Sequence, residues 1–184
     1  MANILRFFPR RNQPSRFEDL FRPHVEPLYK LAYRFTSNVM EAEGLLQDLL
    51  VKLYPKVSEL EKVDKLRPWI ARVMYRMWVD KLRARRSAPT EVVGDISVLE
   101  QHAEVADSES NPEQAYHRST SREKLLQALE KLSEDHRVVL ILHDVEGYSL
   151  EEMKVILDSP IGTLKSRLHR ARERLRNLLD DGTF

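Results

Sequence analysis

The segment from Ser149 to Arg176 restricts the fold of this chain more than any other, because it contains signals for two helix starts in close succession. Ser149 and Glu152 have the spacing of a capping box. Ser159 followed by Pro160 has the residue types that favour an N-cap and a first helical position. Two helices that follow each other so closely must cross at a steep angle. The segment therefore predicts a helix-turn-helix motif.

The second helix of this motif is predicted to have one apolar face and one basic face. Its apolar residues recur at spacings of four and three, which place them on the same side of a helix. They are Leu164, Leu168, Ala171, Leu175 and Leu178. Six of the twelve residues from Lys165 to Arg176 are Lys or Arg, and only Glu173 offsets their charge. This excess favours contact with DNA; the alternative is an ordinary solvated helix face.

Six side chains are candidates for contact with duplex DNA. Successive residues of a helix are about 100° apart, which places these six on and beside the exposed side of the N-terminal half of the basic helix. They are Thr163, Lys165, Ser166, Arg167, His169 and Arg170. Arginine suits bidentate contact with guanine edges, whereas other cations of the helix suit phosphates.

The helix-turn-helix segment resembles the C-terminal signature of the extracytoplasmic-function (ECF) class of bacterial RNA polymerase sigma factors, in the sigma-70 family. The matching residues run from Gly147 to Glu152, include Leu157, and continue from Pro160 to Arg172. The resemblance implies that the basic helix enters the major groove of the upstream, minus thirty-five promoter element. Two residues depart from the family: Lys154 replaces a common alanine, and Asp158 replaces a common turn glycine.

A second basic helix is predicted between Leu66 and Arg83. Its apolar face comprises Leu66, Ile70, Val73, Met74 and Met77. On the opposite face, Arg72, Arg76 and Arg83 lie within about 40° of one another.

Tyr75 and Trp78 lie on one flank of this second basic helix. Aromatic rings beside arginines suit the binding of unstacked bases, although core packing is an equal alternative for both rings. For Trp69, core packing is favoured. The segment resembles the sigma-factor helix that binds and melts the downstream, minus ten promoter element, although Arg76 stands where that family commonly has asparagine.

The residues from Glu41 to Tyr54 resemble the family's segment that docks on core RNA polymerase. Asn38 is predicted to cap this helix. We expect Leu46, Leu49 and Leu53 to pack in the core and Glu43, Gln47 and Asp48 to face the polymerase. Gly44 departs from the family, which usually has an aspartate at this position.

Charge divides the 184 residues into three parts. Residues 1–86 carry 18 Lys/Arg and 10 Asp/Glu. Residues 87–115 carry 7 Asp/Glu and no Lys/Arg, and residues 116–184 carry 12 of each kind. The acidic middle part has no helical or strand periodicity, so we interpret residues 87–111 as a flexible linker. A soluble tether is the favoured role, and the resemblance adds the alternative that the linker follows the RNA path of the polymerase.

Helical patterns account for the rest of the chain. A first helix is predicted from Phe17 to Phe35, bent by Pro23 and Pro27. Asn111 is predicted to cap a second helix, which continues through Leu125, Leu126 and Leu129. Another helix is predicted from Ser133 to Gly147. No strand pattern is present. The expected fold is all-α, with two small helical domains, 1–86 and 112–184, joined by the acidic linker.

The sequence contains none of the motifs that would indicate an enzyme. Cysteine is absent, and the six histidines lack metal-ligand spacing. We therefore expect no catalytic activity, no metal and no cofactor. No segment has the length and apolarity of a membrane span, so we expect a cytoplasmic protein.

The resemblance implies a transcription initiation factor that binds core RNA polymerase and promoter DNA, both duplex and single-stranded. An anti-sigma factor is a further candidate partner that the resemblance implies. The alternative is a helix-turn-helix regulator or interaction protein that is derived from a sigma factor but does not direct initiation.

Overall fold

The computed structural model describes residues 15–87, 124–125, 127–129 and 131–180 of the chain. The described residues form helices and turns, and none of them belongs to a β-strand. They divide into two compact units, one of which holds the helices between Arg16 and Ser87 and the other most of the residues between Glu134 and Asp180. The predicted all-α class with two helical domains is confirmed. The predicted linker and the Asn111 cap lie outside the described residues.

Among the described residues, four α-helices form the first unit. They are α1 (Arg16–Thr36), α2 (Val39–Leu53), α3 (Val57–Leu60) and α4 (Leu66–Ser87). A 3₁₀ turn, Tyr54–Lys56, joins α2 to α3. Asn38 caps α2 as predicted, because its side chain accepts a hydrogen bond from the backbone N–H of Glu41 at 3.1 Å.

The first helix begins and ends at identifiable signals. Ser15 and Glu18 form a reciprocal capping box at its start. Both prolines predicted to bend this helix, Pro23 and Pro27, lie inside one continuous helix. The helix ends at Ser37, which has a φ of 52° in the left-handed region.

All four helices contribute apolar side chains to the core of the first unit, and α3 contributes Leu60. The three leucines predicted to be core residues of α2, Leu46, Leu49 and Leu53, are buried, as are Leu45 and Leu50. On α4, Ile70 and Met74 are buried as predicted. The other members of the predicted apolar face of α4, Leu66, Val73 and Met77, are half-buried.

Beyond residue 131, the described residues form three α-helices. They are α5 (Glu134–Leu140), α6 (Leu150–Leu157) and α7 (Ile161–Asp180). A single π-helical turn, Ile141–Val145, continues α5, and Gly147 follows with a φ of 71°. Helical residues 124–125 and 127–129 precede α5.

The helix-turn-helix forms from α6 and α7. Ser149 and Glu152 make the predicted capping box at the start of α6. Asp158 ends α6 in the left-handed conformation, and its N–H donates to the carbonyl oxygen of Lys154. Pro160 was expected at the first helical position of α7, but the helix begins one residue later, and the carbonyl oxygen of Pro160 accepts the bond from Leu164 at 3.0 Å.

The apolar stripe of α7 is buried only in its first half. Leu164, Leu168 and Ala171 are buried, whereas Leu175 and Leu178 are half-buried. The prediction of one continuously buried face was therefore wrong beyond Ala171. The side chain of Lys154 is exposed, as expected for a lysine that keeps its ammonium in solvent.

Candidate nucleic-acid interface

The outer face of α7 presents most of the side chains that the sequence assigns to duplex DNA. Lys165, Ser166, His169 and Arg170 are exposed, and Thr163 and Arg167 are half-buried beside them. The buried residues of α7 hold the opposite side of this helix against the domain core. The arrangement leaves a cationic face that a DNA groove can approach.

The six candidate side chains of α7 differ in how they are held. Ser166 Oγ donates to the carbonyl oxygen of Thr163 at 2.9 Å, and His169 Nε2 lies 3.7 Å from a carboxylate oxygen of Glu173. Arg167 lies 3.4 Å from the carboxylate of Asp135, at the start of α5. Within the part of the chain that the structure describes, no ion-pair partner is recorded for Lys165 or Arg170.

Arg172 occupies a different position from the other cations of α7. Its Nε donates to Asp144 Oδ2 at 3.0 Å, and its Nη2 donates to Asp144 Oδ1. The hydrogen bond from Arg172 lowers the pKa of Asp144, an effect that partial burial opposes, and the same bond raises the pKa of Arg172. Arg172 is one of the six cations whose excess on this helix favours DNA contact, but its guanidinium contacts a carboxylate of the same unit.

The arginines of α4 do not have equal access to solvent. Arg76 and Arg83 are exposed, and Arg83 lies 3.9 Å from Asp80 one turn earlier. Arg72 is half-buried, and its Nε is buried without a hydrogen-bond partner among the described residues. The exposed pair therefore offers the more accessible contact for a phosphate backbone.

The aromatic residues of α4 divide between the surface and the core. The ring of Trp78 is 5% exposed and stacks on Phe35 with centroids 5.0 Å apart. Tyr75 is half-buried, with its ring 6.1 Å from that of Phe35. This packing favours the core alternative for Trp78 and leaves Tyr75 as the aromatic candidate for an unstacked base. Trp69, for which core packing was favoured, is half-buried.

The residues predicted to face the polymerase lie along α2. Gln47 and Asp48 are exposed, and Glu43 is half-buried. Burial raises the pKa of Tyr29, and the nearby carboxylate of Glu43 raises that pKa further. Asp48 lies 2.7 Å from Lys81 of α4, so this carboxylate also ties α2 to α4.

Two large apolar side chains share the exposed side of α2 with Gln47, and a third follows in the 3₁₀ turn. Met40, Val51 and Tyr54 are 82%, 74% and 57% exposed. At about 100° per residue, Met40, Gln47 and Val51 lie within about 40° of one another on the helix. We call Met40, Val51 and Tyr54 the apolar patch of α2. Sequence reasoning missed it, although the spacing of eleven and three residues between its members was visible.

A cleft of about 230 Å³ lies beside this patch, between α2 and α4. Gly44 lines it together with Trp78 and Leu82, and an ion pair of 2.9 Å between Glu41 and Arg85 also borders it. A Cβ added to Gly44 would meet no heavy atom within 4 Å. Gly44 therefore leaves open a space that a side chain could enter.

Two kinds of feature are absent from the residues that the structure describes. No group of three or more His, Asp or Glu side chains among them could hold a metal ion. None of the helices formed by these residues is both long enough and apolar enough to cross a membrane.

Family comparisons match both units of the chain. The family described as Sigma-70 region 2 matches residues 20–88, and the family described as Sigma-70, region 4 matches residues 122–175. The first match begins within α1 and runs past the end of α4, and the second includes α5, α6 and most of α7.

Similar full-length proteins agree with these matches. The RNA polymerase sigma factor CarQ of Myxococcus xanthus is 30% identical over 165 residues, which are 90% of this chain and 90% of that protein. The ECF RNA polymerase sigma factor SigW of Bacillus subtilis is 29% identical over 94% of this chain and 93% of its own length. For ECF RNA polymerase sigma factor SigE of Mycolicibacterium smegmatis, 32% identical, this chain spans only 61% of the relative's length.

A solved structure has a similar fold. The sigma factor RpoE of Bartonella quintana, determined in complex with the anti-sigma factor NepR, is 27% identical with a TM-score of 0.66. The match covers 89% of this chain and 96% of that one.

Proposed function

Because the chain belongs to the ECF class of RNA polymerase sigma factors in the sigma-70 family and directs RNA polymerase to promoters, we propose how its helices divide the recognition of promoter and polymerase. The first unit, within residues 1–86, binds core polymerase and the downstream element. The second, within residues 112–184, binds the upstream element, and residues 87–111 connect the two.

We propose that α7 contacts the upstream element in the major groove. The observation that carries this assignment is the exposed cationic face of a helix whose opposite side is buried. Arg170 and Lys165 are the accessible cations, and Thr163, Ser166 and His169 lie beside them. Arg167 belongs to the same set, but DNA must compete with Asp135 for its guanidinium.

For the downstream element, the proposed contacts lie on α4. Arg76 and Arg83 are exposed and suit phosphates, and Arg72 is half-buried beside them. Tyr75 is proposed to stack on an unpaired base, because stacking tolerates any base and contributes about 1 to 3 kcal/mol. Trp78 stabilises this surface from the core side by packing against Phe35.

The polymerase-binding surface is proposed to be the exposed side of α2. Glu43, Gln47 and Asp48 supply its polar contacts, and the apolar patch supplies surface that water hydrates poorly. Protein interfaces combine a desolvated apolar centre with a polar rim, which this side of α2 provides.

The remaining assignments follow from the family. The protein supplies promoter recognition, while the polymerase performs the chemistry of RNA synthesis, so no catalytic residue is assigned. Since it acts with bacterial RNA polymerase, we place it in the cytoplasm. An anti-sigma factor is a proposed regulatory partner, because the similar RpoE structure was determined with one bound.

Reconstitution with core RNA polymerase on a promoter library tests the whole proposal. The expected result is open complexes and defined transcript starts on a subset of promoters that share upstream and downstream elements. A helix-turn-helix regulator would instead retard duplex DNA without producing open complexes. Core polymerase alone on the same library is the control for initiation that does not depend on this protein.

A further inference from the structure

A bidentate ion pair ties α7 to the turn that follows α5. Arg172 and Asp144 are 28 residues apart in the sequence and share the two hydrogen bonds described above. A bidentate arginine–carboxylate contact restricts orientation as well as distance. The pair therefore restricts how α7 rotates against α5.

The carboxylate of Asp144 is itself held in place. It belongs to the π-helical turn, in which the N–H of Glu146 donates to the carbonyl oxygen of Ile141 at 2.9 Å. A π-helical turn accommodates one more residue than an α-helical turn, which rotates the following side chains by about 100° relative to an uninterrupted α-helix. His143 Nδ1 lies 2.8 Å from Asp144 Oδ1 and 3.4 Å from Arg172 Nη2.

Arg172 differs from Lys165 and Arg170 because its guanidinium already donates hydrogen bonds to a carboxylate. The carboxylate of Asp144 accepts two of the five N–H groups of Arg172, so a phosphate that bound the Nε and Nη2 edge of the guanidinium would have to displace it. Arg172 also lies only two residues after Arg170, so a rotation of α7 at Arg172 displaces the proposed DNA contacts.

We infer that Arg172 and Asp144 are positioning residues of the DNA-binding helix, which set its orientation without contacting the DNA. The pair fixes the rotation of α7 and thereby aligns Thr163, Lys165 and Arg170 with the base pairs. This inference rests on the proposed contact between α7 and the upstream element.

The experiment compares variants of the full chain bound to core polymerase. Its probes are duplexes with the upstream element that wild-type protein selects from a library, and duplexes with that element scrambled. The variants are Asp144→Asn, Arg172→Gln and the double mutant. Arg174→Gln is the matched control, because it removes an exposed cation of α7 for which the described part of the chain shows no ion pair.

Loss of the pair is expected to reduce discrimination between the two duplexes. Asp144→Asn and Arg172→Gln should each lose about tenfold, because a misplaced helix weakens contacts to base edges. The double mutant should lose no more than either single variant, since both remove the same interaction. Arg174→Gln should weaken binding to both duplexes by the same factor.

Asp144→Asn is the decisive variant, because electrostatics alone predicts the opposite result. Removal of an anion from a basic surface strengthens binding to any DNA sequence. Two results together would show that Arg172 is a phosphate contact. Asp144→Asn would strengthen binding to both duplexes equally, and Arg172→Gln would reduce the slope of the salt dependence by about one. That outcome overturns the inference.

Arg172→Lys separates geometry from charge. Lysine retains the positive charge but cannot form the bidentate contact. Loss of discrimination in this variant supports the positioning role, and full retention overturns it. The side chains of Arg172 and Asp144 are 50% and 34% exposed, so we expect these variants to fold, and circular dichroism checks their helical content.

The wild-type protein separates failure of this inference from failure of the proposed function. If wild-type protein does not distinguish the two duplexes, the assignment of α7 fails and the inference fails with it. If it does distinguish them, and Asp144→Asn and Arg172→Lys do so equally well, only the positioning role is overturned.

Discussion

Trp78 of α4 stacks on Phe35 of α1, with ring centroids 5.0 Å apart and an interplanar angle of 20°. The contact joins two helices that are far apart in the sequence and removes the indole from solvent, leaving it 5% exposed. Tyr75, one turn earlier on α4, lies 5.9 Å from the same indole but remains half-buried. The two aromatic residues are therefore expected to respond differently to substitution.

Trp78→Ala should lower the free energy of unfolding by about 3 to 5 kcal/mol, because it leaves a large cavity in the core. Tyr75→Ala should change stability much less but impair open-complex formation. Urea denaturation followed by circular dichroism measures the first effect, and permanganate footprinting of unpaired thymines measures the second.

Trp78→Phe is the control for the packing role, since it retains an aromatic ring against Phe35. A promoter with a pre-melted downstream element should restore open complexes with Tyr75→Ala. If Trp78→Ala left the unfolding free energy unchanged, the stacking contact would not stabilise this unit.

The apolar patch of α2 predicts a second effect. Met40→Ser and Val51→Ser should each weaken binding to core polymerase by about five- to tenfold, because hot-spot side chains are large and desolvated at interface centres. The unfolding free energy should stay within about 0.5 kcal/mol of wild type, because both side chains are mostly exposed. Fluorescence anisotropy of labelled protein titrated with core polymerase measures the affinity. Lys52→Ser is the control on the same helix; an equal loss with this variant would contradict a specific role for the patch.

Arg170→Ala should reduce discrimination between matched and scrambled upstream elements by about 1 to 3 kcal/mol, the size of a bidentate base contact. Arg170 is exposed at the front of α7, whereas Asp135 partly restrains Arg167. Competition binding of the holoenzyme to the two duplexes gives the free-energy difference. An equal loss on both would assign Arg170 to a phosphate.

Asp158→Gly should raise the free energy of unfolding by about 0.5 to 1 kcal/mol. Asp158 has a φ of 52°, and glycine adopts this conformation without the steric cost of a Cβ. Ser37→Gly is the matched change in the other unit, at the same φ. Thermal unfolding followed by circular dichroism measures both variants. A lower stability of Asp158→Gly would mean that the aspartate side chain stabilises the turn by more than the backbone strain costs.

His24 predicts a pH dependence of stability. Partial burial lowers the pKa of its imidazole below 6.5, and the positive charge of Arg67 lowers that pKa further. The unfolded chain therefore binds a proton at His24 more readily than the folded chain does. The contribution of His24 to the free energy of unfolding is complete above pH 6.5 and decreases as the pH falls toward the folded-state pKa. Urea denaturation across this window should show a flatter dependence for His24→Gln. An unchanged slope would contradict the contribution of His24.

Local signals in the sequence were sufficient to predict the helix-turn-helix. The capping box of Ser149 and Glu152 and the core positions Leu164 and Leu168 depend on residues within one or two helical turns of each other. The same applies to the cap at Asn38. Such features do not require knowledge of how distant segments pack.

Contacts between distant residues could not be predicted from the same patterns. Helical periodicity places Trp78 beside the arginines of α4, but only the fold brings Phe35 against its ring. Likewise, the spacing of Arg172 groups it with DNA-facing cations, because the π-helical turn that presents Asp144 has no simple sequence signature. The candidate site was therefore predicted as a set of residue types on helix faces, while the partner of each side chain was not.

The ion pair between Asp48 of α2 and Lys81 of α4 has a thermodynamic consequence. Asp48 lies on the surface proposed for polymerase, and Lys81 belongs to the helix proposed for promoter DNA. A polymerase cation that bound the carboxylate of Asp48 would displace Lys81, so α4 would lose this ion pair to α2. By linkage, any gain in DNA affinity that polymerase confers through this pair is matched by an equal gain in polymerase affinity when DNA binds. Asp48 and Lys81 would then make promoter and polymerase reciprocal effectors of each other.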